Sequence, residues 1–201
     1  MDDGLVMNYD DYRLIRRQES CLFLPDDAGL PGQVFLDGFS NFRFCEFDLM
    51  LQDEFWPLLA QCAKLYGDSS IAFVVRDPDP EEYFFRQFHR YGAARYTSAA
   101  KASDYIAPII WEPAKSPGDA LLYTTSIATW FGDTGNWGFW GDRGLEIGVA
   151  ATRMPGIQWP EVPSMQWFDL EVVLDGILPI LFKDRKVPEQ FAAELVSNYG
   201  A

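Results

Sequence analysis

The chain is poor in the residues that most often do chemistry. It has one histidine and three cysteines in 201 residues, and 16 lysines and arginines against 30 aspartates and glutamates. The single histidine, His89, sits among Phe88, Arg90 and Tyr91 with no metal-ligand partner nearby in sequence. No HExxH, CxxC or Cys/His cluster is present. There is no GxSxG nucleophile motif, no Walker loop and no dinucleotide glycine fingerprint. Cys21, Cys45 and Cys62 are an odd number without close pairing, which argues against a disulfide framework and fits a reducing compartment. They read as small buried apolar residues. The longest greasy run, 176–182, is far too short to span a bilayer. The start, Met-Asp-Asp-Gly, is the reverse of a positively charged secretory leader. These absences predict a cytoplasmic protein with no metal, no cofactor and no assigned catalytic residue, a binder and not an enzyme.

Negative charge is what the chain has in excess. The net charge is −14, with a pI near 4.3. Residues 19–82 hold thirteen of the acids against three bases, Arg43, Lys64 and Arg76. Such a concentration repels nucleic acid and anionic membranes and attracts a basic protein. Residues 83–101 are the contrast, with Arg86, Arg90, Arg95 and Lys101 and no acid. This basic stretch could hold the acidic segment internally or form a second contact zone. Apolar residues make up 48% and aromatics 16%, enough to build a core and to exclude disorder. Length and the lack of a clear linker predict one domain over residues 1–201.

The patterning predicts an α+β fold: an antiparallel or mixed sheet, a meander in the C-terminal half, and helices packed on one face. A first helix or frayed arm is expected around 9–17. Short strands follow at 21–24, 33–36 and 42–49, the last alternating apolar and polar side chains. Residues 53–66 read as a helix capped by Asp53 and ended by Gly67. Residues 71–75 form a buried strand and 81–91 a second helix. Residues 105–111 read as a strand. Between 120 and 151, three strand-like runs are joined by glycine turns at 132–135 and 141–144. A proline-rich loop at 155–163 precedes a helix at 166–182, stopped or kinked by Pro179, and a terminal helix at 188–199.

Two segments carry the candidate site. Asp77-Pro-Asp-Pro-Glu81-Glu82 places acids at a helix N-terminus, where the dipole favours them. It reads first as a cap, then as a partner-facing knob formed by Asp77, Asp79, Glu81 and Glu82. A calcium loop would need a central glycine and a terminal glutamate that are missing. The string 130–143 packs three tryptophans and two phenylalanines among glycines. Trp137 and Trp140 are either the aromatic core of the sheet or an exposed platform that stacks a ligand or anchors an interface. Asp142 and Arg143 then form a turn pair or join that anchor. Gly132-Asp-Thr-Gly135 has the letters of an aspartic-protease motif, but such a site needs two facing aspartates that share a proton. Only one such motif is present, so it reads as a hairpin turn. Asp169 and Glu171 are a possible carboxylate pair that reads better as a solvated helix face.

The run Asn136-Trp-Gly-Phe-Trp-Gly-Asp-Arg-Gly-Leu-Glu-Ile-Gly-Val-Ala150 resembles a W-G-x-W-G-D/E-R hairpin found in small bacterial proteins encoded beside polymorphic or contact-dependent toxins. The resemblance covers about a fifth of the chain and implies an immunity-protein-like family. It carries over no toxin-contacting residue. With the acidity, it predicts a protein that neutralises a basic toxin, such as a nuclease, through Asp77, Asp79, Glu81 and Glu82, with Trp137, Trp140 and Asp142 as an anchor. The alternatives are a ligand-binding or regulatory module built on the tryptophan platform and, behind it, a hydrolase working through scattered carboxylates.

Overall fold

A computed structural model describes residues 4–200. Six strands form one antiparallel sheet: β1 (Ser40–Glu46), β2 (Ser70–Asp77), β3 (Ala93–Thr97), β4 (Ile127–Gly132), β5 (Trp137–Asp142) and β6 (Ile147–Thr152). Their order is β1-β6-β5-β4-β2-β3. The predicted meander is the centre of this sheet, and the α+β class holds.

Helices cover both faces, not one as expected. On one face the Trp56–Tyr66 and Ala102–Ile109 helices pack on Phe73, Trp130, Trp137 and Phe139. On the other, the Tyr9–Glu19 and Glu189–Tyr199 helices and the irregular 21–39 segment pack on Val74, Phe131, Trp140 and Val149. An antiparallel sheet commonly leaves one face to water and then alternates apolar and polar residues. Here β2, β4, β5 and β6 are buried along nearly their whole length, which is why they carry few polar residues. Both edges are blunted: Leu5 bridges Ala94 on β3, and Phe168 bridges Phe44 on β1.

The glycines of the aromatic string let the layers close. A Cβ on Gly141 would lie 2.8 Å from the Phe47 ring and 3.2 Å from Trp130, so only glycine admits both rings there. Phe47 begins a helical turn, Phe47–Met50, where a strand running on to residue 49 was expected. Seating that ring and Met50 under the sheet ends β1 at Glu46.

Other elements differ for local reasons. Residues 102–109 are helical, not a strand: the Asp104 carboxylate accepts from the Lys101 amide, and Tyr105 and Ile109 are buried one turn apart. The strand Ala93–Thr97 lies in a stretch read as loop. The 21–24 and 33–36 runs meet only through a Phe23–Phe35 bridge. Asp53 is not a cap; it begins a tight turn, Asp53–Phe55, ahead of Trp56. Residues 81–91 are shorter than a full helix, turning through Pro80–Phe85 and Arg86–Phe88 and ending at His89 in the left-handed region. The 166–182 helix is broken into short turns between Leu170 and Leu181.

Candidate functional site

The sheet register gathers the acids. One row of paired residues crosses five strands as Asp77, Ile127, Asp142, Ile147 and Glu46. Asp77 and Glu46 lie four strand spacings apart, about 19 Å. Asp79, Glu81 and Glu82 follow directly from the β2 end of the row, and Glu146 sits in the turn before Ile147. Asp77, Asp79, Glu81, Glu82, Glu46 and Glu146 are exposed. Asp79 also caps its turn, accepting from the Glu81 and Glu82 amides at 2.8 and 2.7 Å. Both readings of this motif, cap and exposed acidic knob, therefore fit the geometry. Asp142 is partly buried and accepts from the Leu145 amide at 3.1 Å, closing the β5–β6 turn. Burial, with the nearby Asp77 charge, raises its carboxyl above the usual range.

Little positive charge neutralises this end. Arg86 pairs with Glu82 at 3.2 Å. Arg143 donates to the Leu122 carbonyl and lies over the Phe47 ring. Two others of the basic stretch make contacts outside the row: Arg90 lies over Trp111, and Arg95 reaches Gln18 and Ser70. Three acids of residues 19–82 do not face a partner at all. Glu19 and Asp68 are buried, and Asp26 is held by Arg16 and Arg76.

The tryptophan platform is not on the surface. Trp137 and Trp140 are 0% and 1% exposed, so they anchor the core and not an interface. Trp137 donates its indole N–H to Asp68 at 2.6 Å, and Trp130 donates to the Tyr105 hydroxyl at 3.0 Å. Arg76 lies over the Trp140 ring, 4.5 Å from its centroid.

Two other tryptophans line an open cleft of about 660 Å³ at the β1 edge. Trp159 and Trp167 form its apolar wall, with Asn41, Arg43, Glu161 and Asp169 around them. Trp159 falls in the stretch read as a proline-rich loop and Trp167 in the stretch read as a helix, and neither was singled out by the sequence. Arg43 pairs with Asp169, while Glu171 takes no part in the cleft. The Asp169–Glu171 pair is therefore not a joint site.

Three groups that could act as catalysts, Cys45, Cys62 and Glu19, are buried, while His89 is exposed. Cys45 and Cys62 are buried, and burial pushes the Cys45 thiol up to about 12. Cys21, expected inside, is exposed. Glu19 lines a cleft of about 400 Å³, yet its two oxygens are taken by Arg16 and Thr129. Among the described residues no group of three or more His, Cys, Asp or Glu could hold a metal ion. Among them, too, no helix is long and apolar enough to cross a membrane.

The hairpin turn at Gly132–Gly135 is not isolated as its sequence suggests. The aspartate opposite Asp133, for which the sequence offered no second motif, is Asp68. Each carboxylate accepts from the amide of the residue that follows the other: Thr134 N to Asp68 at 2.7 Å, and Ser69 N to Asp133 at 3.0 Å. A Cβ on Gly132 would be driven into the Asp68 carboxyl, so this approach requires glycine.

No family model, no curated protein and no solved structure matches the chain.

Proposed function

We propose that this protein is an immunity-type inhibitor that binds a basic protein toxin, possessing no chemistry of its own, at the Asp77–Glu46 end of its sheet. The observation that carries the reading is the register row. It sets Asp77, Asp142 and Glu46 across one end of a rigid sheet and places Asp79, Glu81 and Glu82 beside it. A toxin that acts on nucleic acid needs a cationic surface to hold phosphates, and an acidic inhibitor can occupy that surface. Mutual attraction speeds encounter, and fixed backbone positions limit the entropy lost on docking. The test is stopped-flow association, near neutral pH, with the cognate basic toxin, to be sought first in the neighbouring reading frame. The association rate should fall by about tenfold or more as salt rises from low to several hundred millimolar. A rate indifferent to ionic strength would rule out this electrostatic docking.

A second reading, ligand binding, moves from Trp137 and Trp140 to the cleft walled by Trp159 and Trp167. An aromatic wall ringed by planar polar side chains suits a neutral saccharide. Titration with neutral oligosaccharides should then change tryptophan emission, and the change should disappear when Arg43 and Glu161 are both replaced by alanine. Unchanged emission across the panel removes this reading.

A further inference from the structure

The Asp68 and Asp133 carboxyls lie within hydrogen-bonding reach of each other, each bonded to the amide beside the other, at the end of the sheet opposite the acidic row. They join two loops distant in sequence: the corner between the Trp56–Tyr66 helix and β2, and the turn between β4 and β5. Asp68 is 6% exposed, and its oxygens accept from Thr134 N and from the Trp137 indole N–H. Asp133 accepts from the Ser69 amide and hydroxyl, and from the Ser70 hydroxyl at 3.2 Å. Every one of these partners is a donor from the chain, and the two acids meet with no base between them.

Two ionised carboxylates side by side repel strongly, and with Asp68 buried and Asp133 partly exposed water screens them only in part. A single proton held between them turns repulsion into a hydrogen bond. We propose that Asp68 and Asp133 share one proton, and that this proton is a pH-sensitive clasp fastening the β4–β5 turn to the helix–β2 corner. Its loss releases that end of the sheet.

The environments of the two acids support the division of roles. Burial, which the bonds from Thr134 and Trp137 only partly offset, raises the Asp68 carboxyl above the usual range, and Asp133 adds to the rise. Burial also pulls Asp133 upward, but the bonds from Ser69, Asp68 and Ser70 outweigh it and leave its carboxyl below the usual range. Asp68 therefore carries the proton and Asp133 the charge. The other titratable or charged groups around the pair are Cys62 and Tyr66 of the preceding helix and Arg95 of β3, which reaches the Ser70 hydroxyl at 3.3 Å. Burial raises both Cys62 and Tyr66, so they stay protonated while the pair changes state.

The two acids respond to pH in opposite senses. Asp68, raised on folding, stabilises fully below the ordinary carboxylate range, and this is lost as pH rises through its folded value. Asp133, lowered on folding, stabilises above that range, and this is lost as pH falls through its folded value. The clasp is closed between the two.

The test uses the full chain. Carboxyl carbon NMR should show Asp68 titrating above about 3.9, the ordinary aspartate value, and Asp133 below it. Between the ordinary aspartate value and the Asp68 value, exchange of the Ser69 and Thr134 amides, corrected for the intrinsic rate, should accelerate about tenfold per pH unit, as expected for an opening that releases one proton, and it should level off above the Asp68 value. In Asp133→Asn the amide donates permanently to Asp68, and the acceleration should vanish. Two carboxyls titrating together near the ordinary value would overturn the proposal. So would separate titrations with no change in amide protection. Both readouts come from the native chain, so they decide the matter even where Asp133→Asn fails to fold.

Discussion

Replacing Glu19 with alanine should cost about 3–5 kcal/mol of folding stability, the range for breaking one member of a buried ionic network. The Glu19 side chain is 3% exposed and that of Arg76 is 4% exposed. Glu19 pairs with Arg16 on its own helix, accepts from the Thr129 hydroxyl of β4 at 2.6 Å, and lies 3.8 Å from Arg76 of β2. Asp26 closes the ring, meeting Arg16 at 2.5 Å and Arg76 at 2.6 Å. The network fastens the Tyr9–Glu19 helix to the sheet together with the apolar contacts of Tyr12 and Ile15. Alanine leaves two guanidiniums sharing one half-exposed carboxylate, beside an Arg76 nitrogen that already has no partner. It also strands the Thr129 hydroxyl in the core. Glu19→Gln keeps an acceptor for Thr129 and nearly the same shape, so it should lose less. Urea unfolding of both variants measures the difference, and equal losses would show that the negative charge, and neither the shape nor the bond to Thr129, is what Glu19 supplies.

The networks that hold this molecule together are the part the sequence concealed. The β4–β6 meander was legible because its signals are local: alternation in Leu145–Ala150, glycine turns, and aromatic residues at strand spacing. The Trp56–Tyr66 helix was legible for the same reason, from its apolar stripe and the left-handed Gly67. Residues 102–109 misled because Tyr105, Ile109, Ile110 and Trp111 favour strands, while the Asp104 bond that starts the helix is worth little on its own. The second helical layer could not be read from pattern, because a strand buried on both faces loses the alternation that would announce it. Ser69 and Asp133 stand 64 positions apart, so their meeting is a product of topology alone. The choice between core and platform for Trp137 and Trp140 likewise rested on what covers the sheet. The acidic motif at Asp77–Glu82 was legible as a cap and as an exposed knob. Its alignment with Asp142 and Glu46 was not, since only strand register brings those three into one row.

That row leads to the largest expected effect on binding. Reversing Asp77, Glu81 and Glu82 together to lysine should slow association with the basic partner by about a hundredfold to a thousandfold at low salt. All three side chains are exposed, so the fold should tolerate the exchange, with surface substitutions each costing within about 0.5 kcal/mol. Asp79 is left in place because its carboxylate holds the Glu81 and Glu82 amides, and losing it would confuse charge with local unfolding. In Glu82→Lys the new ammonium meets Arg86 where the carboxylate once paired with it, a repulsion of about 0.2–0.5 kcal/mol and too small to account for the rate. The matched control reverses Asp175 and Glu194, exposed acids of the C-terminal segment that stand outside the row. If net charge alone governs encounter, control and test slow the rate alike per charge reversed. If the sheet end is the docking surface, the test variant slows far more, and its remaining dependence on salt flattens because the steering field has lost its source. A triple reversal that binds at the native rate would place the partner elsewhere and leave the acidity of this chain to solubility alone.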